Sequence, residues 1–337
     1  MCIRDRDWPT GYEAAAVIAP VLNDDIENIN NILPILKNEG LSASFFVDPT
    51  AASLNKDLIR KISTYGEVAA LVDIGYLASV NDKQNKLNFY NDQLNKLKSA
   101  KESLEGITSS IVSGFLPYYG LFDNNTLNAV VNSNFKYVFT DSLTDRSVPK
   151  TIIRGDKRIV TMTKTARDDY EVIRDFGLTL PEFQFYTYQE DLDRVLFEGG
   201  MYIFKLHTDY QCKAEYSNVV RDVVKELKIK KFWITTANEI QKWYEKRDYI
   251  EIRADRRGKT RVALKVSNPG VEAINNLVID LDLNDFAKNI TIGSEIIGTK
   301  TASVKHVAGS QMVYLYVDDL NPGESRQYYI DYDQVSF

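Results

Sequence analysis

The chain has 337 residues, 44% hydrophobic and 26% charged, with 20 Tyr and 15 Phe. That profile excludes a disordered or low-complexity protein and supplies enough apolar side chains for two domains. A formal net charge of -6, with no Lys/Arg stripe to oppose it, argues against nucleic acid as a partner.

Residues 1–6 (MCIRDR) read as the in-frame translation of a sequencing-library adapter and are set aside from fold reasoning. A leader peptide or membrane anchor upstream is left open. Without Cys2, Cys212 stands alone, which excludes an internal disulfide and a Cys-based zinc site. Residues 14–22 form an apolar run of small and β-branched side chains, read as a buried strand that ends at Asn23, Asp24 and Asp25. Ile26, Ile29, Leu33 and Leu36 follow at helical spacing up to Gly40, a C-cap, and ASFFV (residues 43–47) is a second buried strand. Next come a helix over residues 56–63, a strand over 68–72 and a long polar helix from about 82 to 104. Strands are expected at 107–115, 137–140, 201–206 and 232–234, and a helix at 236–246. This alternation predicts an α/β unit with a mainly parallel sheet or barrel, its functional rim at the strand C-terminal ends. Asp24, Asp25 and His207 fall on that rim.

From Tyr249 the pattern changes to period-two strands, Val262/Leu264/Val266, Val313/Leu315/Val317 and Tyr328/Ile330/Tyr332, with turns at 268–270 and 321–323. The expected organisation is therefore a β/α domain over residues 7–247 and a small all-β, immunoglobulin-like sandwich over 248–337. Asp24 and Asp25 read equally as a helix N-cap and a first-turn acid, and His207 as a strand-end histidine bonded to backbone. Asp168/Asp169 and Asp318/Asp319 read as solvated turns, and His306 as a surface residue.

In order along the chain, LNDD (22–25), LSASFFVDP (41–49), STYGEVAALVDIGYL (63–77), GFLPYYG (114–120), YIFKLHTD (202–209) and WITTANEIQKWYEKR (233–247) resemble the motifs of NodB-type polysaccharide deacetylases. The resemblance spans residues 15–247. It implies a deformed (β/α)7-type barrel of the glycoside hydrolase/deacetylase kind, a divalent metal such as zinc in an active member, an acetylated polysaccharide as substrate and an extracytoplasmic or envelope location. By the same resemblance Asp24 matches the general base, Asp25 the metal carboxylate and His207 the general acid. Leu71 and Gly75 stand where the family has its two metal-binding histidines, and Phe115 stands near its motif arginine. Asp73 is the one local substitute ligand; with Asp25 and Asp209 it would form an all-oxygen site that holds Mg²⁺ or Ca²⁺ weakly.

Aromatics near the expected rim, Phe115, Tyr118, Tyr119, Phe122, Phe183, Phe185, Tyr186 and Tyr188, offer faces for sugar stacking, with Pro117 and Asp209 beside them. Phe45, Phe46 and Phe204 read as core. Three functions follow as expectations: a metal-deficient carbohydrate-binding member, a deacetylating hydrolase using Asp24 and His207 with altered metal or none, and a structural assembly module.

Overall fold

The computed structural model describes residues 2–75, 83–120, 124–141, 147–294 and 302–335. The chain divides into two compact units, Glu13–Lys242 and Met1–Tyr12 with Trp243–Phe337.

Strand β1 (Cys2–Asp5) belongs to the second unit. The first unit then runs β2 (Ala15–Leu22), a 3-10 turn (Ile26–Asn31), α1 (Leu33–Glu39), β3 (Ala43–Val47), α2 (Pro49–Leu54), α3 (Lys56–Ile62) and β4 (Gly66–Val72). It continues with α4 (Lys83–Thr108), β5 (Gly114–Pro117), α5 (Asn124–Asn132), β6 (Tyr137–Thr140), β7 (Lys150–Arg154) and β8 (Lys157–Thr163). A π-helical turn (Tyr170–Asp175), α6 (Pro181–Glu198), β9 (Met201–His207), α7 (Ser217–Ile229), β10 (Trp233–Ile234) and α8 (Ala237–Arg247) complete it, the last crossing the division.

These strands form one sheet in the order β9-β2-β3-β4-β5-β6-β8-β7, parallel except for β7, with β10 paired to the start of β2. Every residue of β2, β3 and β9 is buried, as expected of central parallel strands covered on both faces. Proline 20 lies inside β2, a position that normally loses a ladder bond. Here it loses none: on that edge β2 pairs only with β10 through Ala15–Ala16 and with β3 through Val21–Leu22. The carbonyls of Ala16 and Leu22 point to that edge, accepting from Thr235 and Asp48 N–H, so by alternation Pro20 faces the gap between the two neighbours.

Three features differ from the sequence reading. Helix α4 runs on to Thr108, so Ile107 is helical, and β5 starts only at Gly114 after Ser109 turns the chain at φ 56°. Helix α2 is set by Asp48, whose side chain accepts from Thr50 and Ala51 N–H with Pro49 at the first position. The β7/β8 hairpin, turning at Gly155 with φ 62°, adds strands beyond the seven expected.

The second unit contains β1, β11 (Glu251–Arg256), β12 (Arg261–Ser267), β13 (Leu277–Asp282), β14 (Ala287–Ser294), β15 (Ala302–His306), β16 (Met312–Val317) and β17 (Ser325–Gln334). They make two four-stranded antiparallel sheets, β1-β13-β16-β15 and β11-β12-β17-β14. Alternation is explicit in β16 and β17, where Val313, Leu315, Val317, Tyr328, Ile330 and Tyr332 are buried between less buried neighbours. Residues 2–5, set aside in the sequence reading, form an edge strand on β13. The division falls after residues 12 and 242, whereas the expected domain limits were 6/7 and 247/248. Among the described residues no helix is long and apolar enough to cross a membrane.

In the first unit the parallel strands end on polar side chains: Asp24 just beyond β2, Asp48 after β3, Asp73 after β4, Tyr118 after β5, Asp141 after β6, Lys164 after β8 and His207 at the end of β9. This is the rim on which α/β folds assemble their sites.

Candidate active site

The loops after β2 and β9 are tied together, and this brings Asp24 to His207. Val21 and His207 are register partners, Thr208 N–H donates to the Val21 carbonyl at 3.2 Å, and the Thr208 hydroxyl donates to the Asp24 carbonyl. Asn28 Nδ2 donates to the Thr208 carbonyl at 2.9 Å. Asp24, His207, Pro117 and Tyr118 then line one cavity of about 460 Å³ at the rim, together with Leu71, Leu116, Asp141, Lys164, Asp168, Tyr170 and Lys205.

His207 is only 4% exposed and closely held. Its Nδ1 lies 2.5 Å from Asp169 Oδ1, while Asp169 Oδ2 accepts from the His207 N–H at 2.6 Å and the Gln211 N–H at 3.1 Å. An ionised carboxylate only accepts, so Nδ1 carries the proton and Nε2 is the ring nitrogen left for the cavity. The Tyr170 ring stacks on the imidazole with centroids 3.5 Å apart and planes 9° apart, and the Arg174 guanidinium lies 4.6 Å from the Tyr170 centroid. Tyr170 and Arg174 share the π-helical turn, an irregularity often found at functional sites.

Asp168 and Asp169 are therefore not solvated turns: they are 4% and 0% exposed. Arg167 fixes the segment by donating from its main-chain N–H and Nε to Asp191 Oδ2, both at 2.9 Å. The signal for Asp169 was a buried-strand histidine that needs an acceptor, with an acid–aromatic pair, Asp169-Tyr170, elsewhere in the chain. Asp318 and Asp319 are exposed, as read. His306 is half-buried, its Nε2 lying 3.0 Å from the Ser310 carbonyl.

Lys205 is a second group that sequence reasoning passed over. It lies two residues before His207 on β9, hence on the same strand face, and is 7% exposed. Its Nζ is 3.1 Å from Asp141 Oδ2 and 3.5 Å from Asp168 Oδ2, and Lys164 Nζ is 3.0 Å from the same Asp168 oxygen and 2.6 Å from Glu171 Oε2. Burial alone would push the Asp168 carboxyl up, but the two ammonium groups outweigh it and hold it down at about 2.

The expected metal ligands are not brought together. Leu71 is in the cavity wall, 3% exposed, and Gly75 is exposed at φ 69°. Asp25 is exposed in left-handed backbone, makes no side-chain cap and does not line the cavity. Asp73 is exposed and accepts from the Gly75 N–H at 3.1 Å. Asp209 accepts from the Tyr170 hydroxyl at 3.4 Å, and burial raises its carboxyl above the ordinary range. Among the described residues no three His, Cys, Asp or Glu side chains cluster to hold a metal. The donor set does not fit the zinc that the family resemblance implies: Leu71 stands in the wall at one expected imidazole position, Gly75 carries no side chain at the other, and among the described cavity residues His207 is the only imidazole. Phe115 is in the core against Phe135, and its neighbour Leu116 faces the cavity instead.

The aromatic rim is smaller than expected. Tyr118 lines the cavity and donates to Asp48 Oδ2 at 3.3 Å; burial, reinforced by that carboxylate, raises its phenol. The Tyr119 side chain and all of Phe122 lie outside the described residues. Tyr188 is fully buried with its hydroxyl on Gln211 at 2.9 Å, Phe185 is half-buried, and Phe183 and Tyr186 are exposed; none lines the cavity, because α6 turns these positions to its own core or to solvent. Phe45, Phe46 and Phe204 are core, as read.

No protein-family model and no curated protein matches the chain. Solved structures do. A polysaccharide deacetylase structure from Pseudomonas aeruginosa PAO1 matches with a TM-score of 0.60 at 15% identity over 72% of this chain and 94% of its own. One from Mycobacterium smegmatis gives 0.59 at 17% identity over 70% and 91%, and Puue allantoinase gives 0.59 at 15% over 72% and 94%. A fold shared by a polysaccharide deacetylase and an allantoinase does not by itself name a substrate. The chain has the α/β fold of the polysaccharide deacetylase structures.

Proposed function

We propose that this is a carbohydrate-binding protein of deacetylase type, deficient in the metal centre, whose ligand is an acetylated polysaccharide of the cell envelope or an exported polymer. The observation that carries this reading is the cavity wall. Leu71 lies where the family resemblance places a metal-binding histidine, yet the cavity keeps Asp24, His207, Tyr118 and Pro117. A pocket lined by Tyr118 and Tyr170, with converging donors and acceptors, suits a sugar ring without requiring hydrolysis. The two antiparallel sheets of the second unit are read as a β-sandwich that assists binding to glycan or neighbouring protein.

A second reading has a specific observation in its favour. Asp24 shares the cavity with His207, whose Nδ1 is held by Asp169, so a carboxylate base lies in one cavity with a ring nitrogen, Nε2, that serves as the acid when the imidazole is protonated. Such a hydrolase would remove acetyl groups without the metal.

Elemental analysis of the full chain, acetate release from acetylated glucosamine oligomers with and without added Zn²⁺, and oligomer binding by wild type and Asp24→Asn test both. Binding that survives in D24N, with no metal and no acetate, supports the binder. Acetate release that D24N abolishes replaces it with the hydrolase, and absence of binding and of release in well-folded protein refutes both.

A further inference from the structure

We infer that Lys205 is the ligand-contacting cation of this cavity and binds the carbonyl oxygen of an acyl group. The inference rests on the acetylated-glycan reading and names the group that recognises the acyl substituent. Three observations carry it.

First, Lys205 shares a strand face with His207 and lines the same cavity as Asp24. Its amine is delivered by a central parallel strand rather than by a loop, so the position of the charge is fixed by the sheet. Second, an ammonium has three N–H donors. Among the described residues, Lys205 spends its donors on Asp141 at 3.1 Å and Asp168 at 3.5 Å, which leaves one for the cavity. Third, the pairing is shared. Asp168 is bridged by Lys164 at 3.0 Å as well, and Lys164 also holds Glu171 at 2.6 Å, so Asp168 does not neutralise Lys205 alone. A buried lysine with two acids and a spare donor is more than a counter-ion in an apolar core. It is the kind of fixed positive group that a site needs to bind a carbonyl oxygen when it has no metal ion to do so.

Further geometry agrees with this assignment. Gly120, at φ 62°, backs directly onto Asp141: a Cβ there would lie 2.3 Å from Asp141 Cβ. The backbone after β5 is thus shaped around the carboxylate that holds Lys205. The rim also supplies acceptors for hydroxyl groups, with Asp24 bonded, among the side chains of the described residues, only to Asn23 Nδ2 at 3.0 Å.

The test compares chitotetraose with cellotetraose, two neutral oligomers that differ in the acetamido group, by titration calorimetry on the full chain. Wild type should prefer chitotetraose. In Lys205→Met combined with Asp141→Asn, which removes the charge and one of its partners together, that preference should fall roughly 10- to 100-fold while cellotetraose binding changes little. Retention of the preference by the folded double variant would overturn the role of Lys205 and leave the glycan reading standing. Binding of neither oligomer by wild type would overturn the glycan reading, and this inference with it. Should the double variant not fold, the wild-type protein still decides: the Lys205 ammonium resonance should move on adding chitotetraose and stay in place with cellotetraose, and a resonance unmoved by both would refute the contact.

Discussion

Replacing Asp169 with Asn should switch the tautomer of His207 while leaving the shape of the site intact. Asp169 is fully buried and accepts three hydrogen bonds, one from the imidazole and two from main-chain N–H groups on His207 and Gln211. The two main-chain donors are fixed and both reach Oδ2, so the amide oxygen of an asparagine must take that place. Its NH₂ then faces His207 Nδ1, which has to accept, and the ring proton moves to Nε2. Bonds to a charged acceptor are worth about 1.5–3 kcal/mol against about 0.5–1.5 for neutral ones. Three weakened bonds, partly offset by no longer burying a charge, give a loss of about 2–4 kcal/mol. At roughly 2–4 °C per kcal/mol for a unit of this size, melting should fall by roughly 5–15 °C. The chain has only two histidines, so ring ¹⁵N shifts separate His207 from His306 without ambiguity. Wild type should show a protonated Nδ1 and D169N a protonated Nε2. Identical tautomers in the two proteins, or a melting change no larger than that of Asp57→Asn at an exposed site, would refute the reasoning.

At the N-terminal end of the sheet, Glu67 accepts from Ser44 Oγ at 2.6 Å and from the Asn238 N–H at 2.9 Å, and burial raises its carboxyl above the ordinary range. A raised folded value means that Glu67 contributes full stability below the ordinary glutamate pKa and loses it as pH rises through the raised one; Glu67→Gln should flatten that decline in urea midpoints taken between about pH 4 and 8, and parallel curves would rule it out. Gly120→Ala should cost well over the roughly 1–2 kcal/mol of left-handed strain because its Cβ meets Asp141, whereas Gly155→Ala, at the same φ of 62° with nothing within 4 Å, should cost about the strain alone. Leu71→His with Gly75→His should not create a stoichiometric zinc site by calorimetry, because Asp25 stays outside the cavity, residue 75 carries φ 69° against the Phe89 ring, and two ammonium groups line the same space; tight zinc binding would refute this account of the cavity.

Strands β3 and β6 match their expected limits because a central parallel strand is apolar at every position and needs no partner to be recognised. The misreading near residue 107 is instructive, since Leu97, Ala100, Leu104 and Ile107 are all buried at helical spacing on α4. That stripe was visible, but Ile107, Ile111 and Val112 looked like the start of an apolar strand. At the site, Asp24 and His207 were legible because each ends a strand. Asp169 was not, because its role exists only once a turn 38 residues from His207 folds against it. Lys205 was hidden for a different reason: inside YIFKLH a single lysine reads as an interruption, although the two-residue offset from His207 already puts both on one face.

Charge balance at the cavity is set by its lysines, since no metal-holding cluster is found among the described residues. Asp24, Asp141, Asp168 and Glu171 face a cavity whose cations are Lys164, Lys205 and Arg174. Four carboxylates without a metal would repel one another in a partly dry space. Lys205 and Lys164 are shared among Asp141, Asp168 and Glu171 and offset two of these three charges, while Arg174 pairs with Asp175 at 2.7 Å. Asp24 is left with Asn23 as its one side-chain partner among the described residues. The site therefore keeps one acceptor without a cation, beside a ring nitrogen fixed by Asp169 and an ammonium with a donor to spare. A divalent ion would have to displace the lysines from carboxylates that already hold them, whereas hydroxyl and acyl groups of a sugar meet donors and acceptors in place.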